Sequence, residues 1–336
     1  MDPISQGTVG AAFAQTASNK NNITKISMVG FLAGLAPDLD VLIRSATDPV
    51  LFLEYHRQFT HSLFFIPLGA LIVSALIFPL VRKSLSFKTI YVASFLGYAT
   101  HGLLDACTSY GTLLFWPFSN ERITWNNISI VDPLLTVPAL ILLAVAVKTN
   151  RRRFSLIAVC WIVSYLALGL VQYERALSSG LKLAQLRGHS AERMTLKPSF
   201  GNLILWKSIY QHGDRFYVDA IRAGRELTWC PGESIKIFDY QYHLSGLEKN
   251  SQQMRDIERF RWFSQDYLGF DRDKKLVTDV RYSMIPDRVA PMWGLVIDER
   301  LGANEHAVWW ASRDLDDEIL TLFKEMLFGD KCTAQQ

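Results

Sequence analysis

The chain has 336 residues, of which 49% are hydrophobic and 20% are charged, and its formal net charge is +3. The hydrophobic fraction, taken with a mean hydropathy of +0.12, is too high for an ordinary soluble enzyme, whereas the charged fraction is too high for a protein that lies wholly in lipid. The net charge is too small to indicate a nucleic-acid partner. The apolar runs are concentrated in the first half, which predicts a membrane domain over residues 1–175 and a soluble domain over residues 180–330.

The N-terminal part of the chain is rich in small residues. It lacks the basic region of a secretory signal peptide, so we expect the N-terminus to be retained. Small residues over 4–17 are typical of a short helix packed closely against others. The next apolar stretch is interrupted at Pro37, because proline removes a backbone donor and disfavours helical geometry in the residue before it. Asp38 and Asp40 fall at this predicted break.

Four longer apolar runs follow, and each is long enough, or nearly so, to cross a bilayer. They cover residues 63–81, 90–107, 130–147 and 154–171. Together with the N-terminal stretches they predict an α-helical membrane bundle of about five to six membrane helices. The short basic loops around Arg82 and Arg151 are cytoplasmic by the positive-inside rule, which makes the protein multi-pass and its soluble domain extracytoplasmic.

Residues that can bind metal lie at the outer ends of these runs. His101 and Asp105 are four residues apart, so on one helix face an imidazole and a carboxylate can reach the same ion. Ionisable groups in an apolar helix are costly and mark functional sites. The predicted topology brings to the same face the metal-ligand candidates Asp38, Asp40, His56, His61, His101 and Asp105, together with Asp132. This mixture favours zinc, with manganese as an alternative, and exceeds the ligands of one zinc ion.

Several of these residues also have a purely structural interpretation. Asp132 precedes Pro133 and can cap the helix that begins there. Asp38 and Asp40 can cap the helix that restarts after the break, and His56 can anchor a helix at the membrane interface. The other four histidines lie in the soluble half without ligand spacing, and we expect them on the surface or in turns.

The ordered motifs resemble a known family, the bacterial membrane-bound metal-dependent hydrolases, also called the YdjM family. They are Pro37-Asp-Leu-Asp, His56-Arg-x-x-Thr-His, His101-x-x-x-Asp and Trp116-Pro-Phe, and the resemblance covers about residues 1–150. It implies a metal-dependent hydrolase. That family is distantly similar to zinc-dependent phospholipase C and the S1/P1 nucleases, which implies ligands among Asp38 or Asp40, His56 or His61, His101 and Asp105. Relatives have a histidine near the N-terminus where this chain has Gln6, a poor metal ligand.

These observations predict a metal-dependent hydrolase of the bacterial inner membrane. The lipid bilayer is its expected partner, and the expected substrate is a phosphoester or lipid-linked molecule at the extracytoplasmic surface. Asp132 or Asp40 would accept a proton from water, and Arg57 would hold a phosphate oxygen. An ion or proton transporter subunit and a membrane adaptor with a structural metal site are the alternatives, since a buried His and Asp cluster suits each. An open coordination position separates a catalytic zinc from a structural one.

The second half of the chain has the alternation and turn signals of a small α+β domain. Residues 203–210 and 216–221 predict a hairpin, and 276–282 and 293–297 predict further strands. Apolar residues at helical spacing predict helices over 254–263 and 316–328. Cys230 and Cys332 can pair only in an oxidising compartment. The domain can gate the membrane site, bind substrate or bind a partner, and its residues do not choose among these roles.

Overall fold

The structure is a computed structural model that describes residues 1–313, 316–329 and 331–334. The chain divides into two compact units. The first contains residues 1–42, 55–171 and 200–202. The second contains residues 43–54 and 172–199 and the described part of 203–336. A short stretch of the N-terminal half, residues 43–54, therefore belongs to the second unit.

The first unit is helical. Its helices, in chain order and including two that continue into the second unit, are α1 (Pro3–Gln15), α2 (Ile23–Leu35), α3 (Leu51–Tyr55), α4 (Ile66–Val81), α5 (Phe87–Ala106), α6 (Pro133–Thr149) and α7 (Arg153–Leu186). Two 3-10 helices, Ala36–Leu42 and Phe59–His61, interrupt the regular pattern. The first of them begins directly before Pro37, where the sequence predicts a break.

Glycines allow α1, α2 and α5 to approach one another closely. A Cβ atom on Gly10 would lie 2.6 Å from the carbonyl oxygen of Gly30, and one on Gly97 would lie 2.5 Å from the same oxygen. A Cβ atom on Gly34 would lie 2.7 Å from the carbonyl oxygen of Gln6. Small residues at such crossings let helix backbones pack directly against each other. The packing places the C-terminal end of α2 beside the middle of α5.

The prediction of five to six membrane helices is wrong. Within the described residues, α7 is the one helix that is long and apolar enough by itself to cross a bilayer. A second span arises only if residues 51–61 and 66–81, which meet at 86°, form one broken segment. The helices α1 and α2 have 13 residues each, about 20 Å, against a hydrocarbon core of about 30 Å. The 20-residue α5 carries Lys88, His101 and Asp105, which lower its mean hydropathy.

The second unit combines antiparallel sheets with short helices. Its strands are β1 (Arg193–Pro198), β2 (Leu205–His212), β3 (Arg215–Ala223), β4 (Leu227–Cys230), β5 (Ser234–Lys236), β6 (Leu268–Asp271), β7 (Leu276–Asp279), β8 (Trp293–Val296), β9 (Val308–Ala311) and β10 (Thr333–Ala334). One sheet has the order β1-β2-β3-β4-β10 with β5 beside β3, and the other has the order β6-β7-β8-β9. The helices are α8 (Tyr240–His243), α9 (Gln252–Phe263) and α10 (Asp317–Phe328).

The predicted hairpin is confirmed. His212 of β2 pairs with Arg215 of β3, so Gly213 and Asp214 form a two-residue turn. The φ angle of Gly213 is 58°, a left-handed conformation that glycine adopts without strain. Cys230 and Cys332, which are 102 positions apart, form a disulfide bond. This bond links the end of β4 to the residue before β10.

Candidate metal centre

Four side chains from separate parts of the first unit meet at one point. Asp38 comes from the first 3-10 helix, His61 from the second, and His101 and Asp105 from α5. The side chains of His61, His101 and Asp105 are fully buried, whereas that of Asp38 is 24% exposed. We call these four residues the candidate metal centre, because together they could hold a metal ion.

The ligand atoms of this centre are almost evenly spaced. Asp38 Oδ1 lies 3.4 Å from His61 Nε2 and 3.3 Å from His101 Nε2. Asp105 Oδ2 lies 3.3 Å and 3.6 Å from the same two nitrogens, which are themselves 2.9 Å apart. Zinc binds nitrogen and oxygen ligands at about 2.0–2.1 Å, so the edges of a regular zinc tetrahedron are about 3.3–3.4 Å. These five of the six separations, 2.9–3.6 Å, are thus close to the edges of a tetrahedral zinc site, and all four donor atoms lie within 4.8 Å of one another.

Hydrogen bonds on the outer side of each imidazole direct its Nε2 atom inward. His101 Nδ1 lies 2.6 Å from the carbonyl oxygen of Gly34 and must donate, because a carbonyl oxygen only accepts. His61 Nδ1 lies 3.0 Å from the Thr60 hydroxyl, which donates its own proton to Asp40 and therefore accepts here, and 3.2 Å from Asp40 Oδ2.

Burial lowers the pKa of His101, which favours its neutral form. Burial would lower the pKa of His61, but contacts with Asp105, Asp38 and Asp40 raise it to about 10, so without a metal this ring carries an extra proton that a metal would displace. Both rings direct Nε2 to the centre, as metal-binding histidines do.

The carboxylates of the centre are ionised in spite of their burial. Burial alone would raise the pKa of Asp105, but the positive charges of Arg57 and of the Met1 amine hold it well below its usual range. Burial is likewise outweighed at Asp38, whose pKa is lowered by hydrogen bonds with His101 and His61. Asp105 Oδ2 is buried and accepts no hydrogen bond, although Arg57 Nε lies 3.1 Å away as an ion-pair partner. Two carboxylates and two imidazoles are the donor types that zinc binds, so the set fits a divalent cation.

Asp40 organises the residues next to the centre. Its Oδ1 lies 2.7 Å from Nδ1 of His56. Its Oδ2 accepts hydrogen bonds from the backbone N–H of Arg57 at 3.0 Å and from the Thr60 hydroxyl at 2.8 Å, and it also faces His61. Burial would raise the pKa of Asp40, but the contacts with His56 and His61 lower it below its usual range. These are the contacts of a residue that orients a metal-binding histidine from behind.

His56 lies at the edge of this arrangement. Its side chain is 32% exposed and its Nδ1 is held by Asp40. With Asp38 and Asp40 it forms a second group of potential metal ligands, in which Asp38 is shared with the candidate metal centre. The structure therefore brings together all six residues that the sequence predicts as ligands, but in two overlapping groups.

Arg57 supports the centre from the buried side. Its φ angle is 65°, an unfavourable conformation for a non-glycine residue that is typical of functional sites. Its Nε lies 3.1 Å from Asp105 Oδ2, and its guanidinium donates to the Thr108 hydroxyl at 3.0 Å. The residue is only 4% exposed. In this structure its side chain orients Asp105 instead of reaching outward to a substrate phosphate.

Asp132 has a different set of contacts. Its Oδ1 accepts hydrogen bonds from the backbone N–H groups of Leu134 and Leu135 at the start of α6. The hydroxyl of Tyr165 lies 2.9 Å and 3.0 Å from its two oxygens. Among the described hydrogen bonds and ion pairs, none joins Asp132 to the candidate metal centre. Its position is that of a helix N-cap, the structural interpretation that its sequence allows.

Three further groups touch the centre, and the sequence singles out only Gln6 among them. The Nε2 atom of Gln6 donates to Asp105 Oδ1 at 2.9 Å, and the Met1 amine donates to the same oxygen. The carbonyl oxygen of Gly34 accepts from His101. Gln6 thus donates a hydrogen bond to the predicted metal ligand Asp105, although its own amide would be a poor metal ligand. A backbone carbonyl leaves no signal in residue type, so only the fold reveals the part played by Gly34.

Comparisons with known proteins find a matching family model and a bacterial relative. The family model of the YdjM inner membrane protein matches residues 1–176, which include the whole candidate metal centre. The uncharacterized protein YfhP of Bacillus subtilis (strain 168) is 28% identical over 119 residues. That match covers 35% of this chain and 36% of YfhP, so it spans about a third of each protein. No solved structure matches the chain.

Proposed function

We propose that this chain, which belongs to the YdjM inner membrane protein family, is a metal-dependent hydrolase that acts on a phosphoester or lipid-linked substrate. The observation that carries the proposal is the convergence of four potential ligand atoms, for which five of the six separations, 2.9–3.6 Å, are close to the edges of a zinc tetrahedron. Two imidazoles with two carboxylates suit zinc better than manganese, which prefers six oxygen ligands.

The chain's own residues have distinct tasks in this proposal. His61, His101 and Asp105 would hold zinc from the buried side, and Asp38 from the partly exposed side. A divalent metal there supplies a Lewis acid for polarising a phosphoryl group and activating water. Asp40 and Arg57 hold His61 and Asp105 in place before the metal arrives, so binding requires little rearrangement.

Exposed apolar side chains close in sequence to the predicted ligands support an amphiphilic substrate. Leu39, directly before Asp40, and Leu42, two residues after it, are 64% and 76% exposed. Phe64, three residues after His61, packs against Phe118 at 4.7 Å between ring centroids, and both are largely exposed. Such a surface is unfavourable in water and favourable against lipid tails. A lipid-linked phosphoester combines an apolar part with the charged group that the metal would bind.

We also propose that the second unit lies on the extracytoplasmic side. Disulfide bonds persist in oxidising compartments such as the bacterial periplasm and are rare in the cytosol. The bond between Cys230 and Cys332 supports this placement. The substrate would then be encountered at the outer surface of the inner membrane.

A membrane adaptor with a structural zinc site is the second candidate function. It is favoured by the number of donors, because four protein ligands complete a tetrahedron, whereas catalytic zinc sites have three and an open position. The partial exposure of Asp38 favours the hydrolase instead, since an accessible carboxylate can be displaced by water or substrate.

Cobalt substitution distinguishes these two functions. The full chain is purified in detergent, loaded with cobalt(II) or zinc, and tested with p-nitrophenyl phosphate, bis(p-nitrophenyl) phosphate and a phosphatidic acid micelle. A hydrolase is expected to cleave at least one of these with zinc, and its cobalt spectrum should change when phosphate is added. His101→Ala should abolish both responses, and His243→Ala, in the second unit, should abolish neither. If cobalt binds but its spectrum does not change when phosphate is added, and no substrate is cleaved, the result would support a structural site.

A further inference from the structure

The segment 43–54, which lies in the chain between Asp38 and His61 of the candidate metal centre, belongs to the second unit. Residues 43–54 connect Asp40 to His56, and the chain leaves the first unit after residue 42 and returns at residue 55. Val50 and Leu53 of this segment are 0% and 2% exposed. The ring of Phe52 packs edge-on against Trp309 of β9, with centroids 5.1 Å apart. The segment is therefore an integral part of the second unit's core.

One arginine of α9 binds this segment at two points. The terminal nitrogens of Arg259 donate to both carboxylate oxygens of Asp48, at 3.0 Å and 2.9 Å. Its Nε lies 2.5 Å from the carboxylate of Glu54, two residues before His56. The Arg259 side chain is only 18% exposed. Bidentate, partly shielded pairs of this kind are stronger and more directional than ordinary surface ion pairs.

The same cluster can be considered as a second metal site, but its charges argue against this. Asp48, Asp256 and His306 could together hold a metal ion. However, the guanidinium of Arg259 lies within 3.3 Å of Asp256 as well as against Asp48. The backbone N–H of Ala307 and the Nδ1 of His306 occupy the remaining Asp256 oxygen at 3.0 Å and 2.9 Å. A cation that already contacts both carboxylates makes this an ion-pair network.

We propose that Arg259 is a positioning residue for the candidate metal centre. It fixes Asp48 and Glu54, and thereby the segment that continues into Asp38 and Asp40 at one end and into His56 and His61 at the other. Closing the loop between Asp40 and His56 costs conformational entropy, which is smaller when the intervening segment is already ordered. The second unit would thus prearrange the metal ligands. This inference rests on the proposed metal function.

The test measures zinc affinity and local order in the full chain in detergent. Arg259→Gln is compared with Arg255→Gln, a control one turn earlier in α9 whose hydrogen bonds go to Gln252 and Asn250. Arg259→Gln is expected to weaken zinc binding about tenfold, as loss of a supporting residue does, and to speed hydrogen exchange over residues 43–61. Arg255→Gln should change neither quantity.

The opposite side of the ion pair gives an independent measurement. Asp48→Asn alters the segment and leaves α9 intact. It therefore tests the positioning role even if Arg259→Gln disturbs the fold of the second unit. It should also weaken zinc binding, and the double variant should be little worse than either single one, because both remove the same interaction. Wild-type zinc affinity in Asp48→Asn or in a folded Arg259→Gln variant would overturn the proposal. If the wild-type chain binds no zinc, the metal function is contradicted instead. In that case hydrogen exchange alone tests the positioning role, and unchanged exchange over residues 43–61 in Asp48→Asn would overturn it.

Discussion

The Nε2 atoms of His61 and His101 lie 2.9 Å apart, although 40 positions separate the two residues in the chain. The Nδ1 atom of each ring is held by an oxygen atom, so neither ring can rotate its Nε2 atom away. A proton or a metal ion must therefore lie between them. Metal binding releases such a proton, and we expect zinc affinity to fall as the pH falls.

The contact between α5 and the second 3-10 helix can be tested by substitution. A Cβ atom on Gly102 would clash with the carbonyl oxygen of His61. Gly102→Ala should raise the helix propensity of α5 by about 1 kcal/mol but push His61 away from His101. We expect a loss of zinc affinity of more than about tenfold in a variant that remains folded. Zinc titration of Gly102→Ala beside Leu103→Ala, an exposed position on the same helix, checks this. Equal affinity in both variants would contradict it.

Asp40 and Asp132 should respond differently to substitution. Asp40→Asn removes the carboxylate behind His61, and we expect zinc affinity to fall about 10–100-fold without being abolished. Asp132→Ala removes the N-cap of α6 and should leave zinc affinity unchanged while lowering the free energy of unfolding by about 1 kcal/mol. Zinc titration and thermal unfolding of both variants measure these effects. A loss of zinc affinity in Asp132→Ala as large as that in Asp40→Asn would place Asp132 in the metal site.

The pairing of His101 with Asp105 could be predicted from sequence because it depends on local spacing alone. The four-residue separation of His101 and Asp105 needs only an α-helix to place both on one face. The roles of the flanking residues could not be predicted, since Asp40 reaches His56 and His61 only through the two 3-10 turns. The number of membrane spans was overestimated for a related reason. Apolar runs do not show where a helix begins, and α4 starts three residues later than its run.

The buried lysine of β2 predicts a pH-dependent stability. Lys207 is 3% exposed, and burial lowers its pKa to about 7, although nearby acids oppose the shift. Between pH 7 and about 10 the unfolded chain binds a proton that the folded chain does not. The free energy of unfolding should therefore rise with pH in this window, by at most about 1.4 kcal/mol per pH unit. Unfolding at pH 7, 8 and 9 should show a smaller rise in Lys207→Met. Equal slopes would show that Lys207 does not titrate there.

The four cysteines give a chemical test of the second unit's location. Cys107 and Cys160 are free, whereas Cys230 and Cys332 are bonded. When protein from bacterial inner membranes is denatured and alkylated without reductant, we expect peptide mass spectrometry to find label on the first pair only. Reductant should expose the second pair. Complete alkylation of all four cysteines without reductant would contradict the extracytoplasmic placement.

Metal content tests the central claim most directly. The full chain is purified in detergent without chelator, and its zinc is measured by mass spectrometry beside the His101→Ala, Asp105→Ala double variant. The tetrahedral donor set predicts about one zinc per wild-type chain and none in the variant, with the circular dichroism of both indicating folded protein. A folded wild-type chain that binds no zinc when supplied with it, or a double variant that keeps the full amount, would contradict the metal centre.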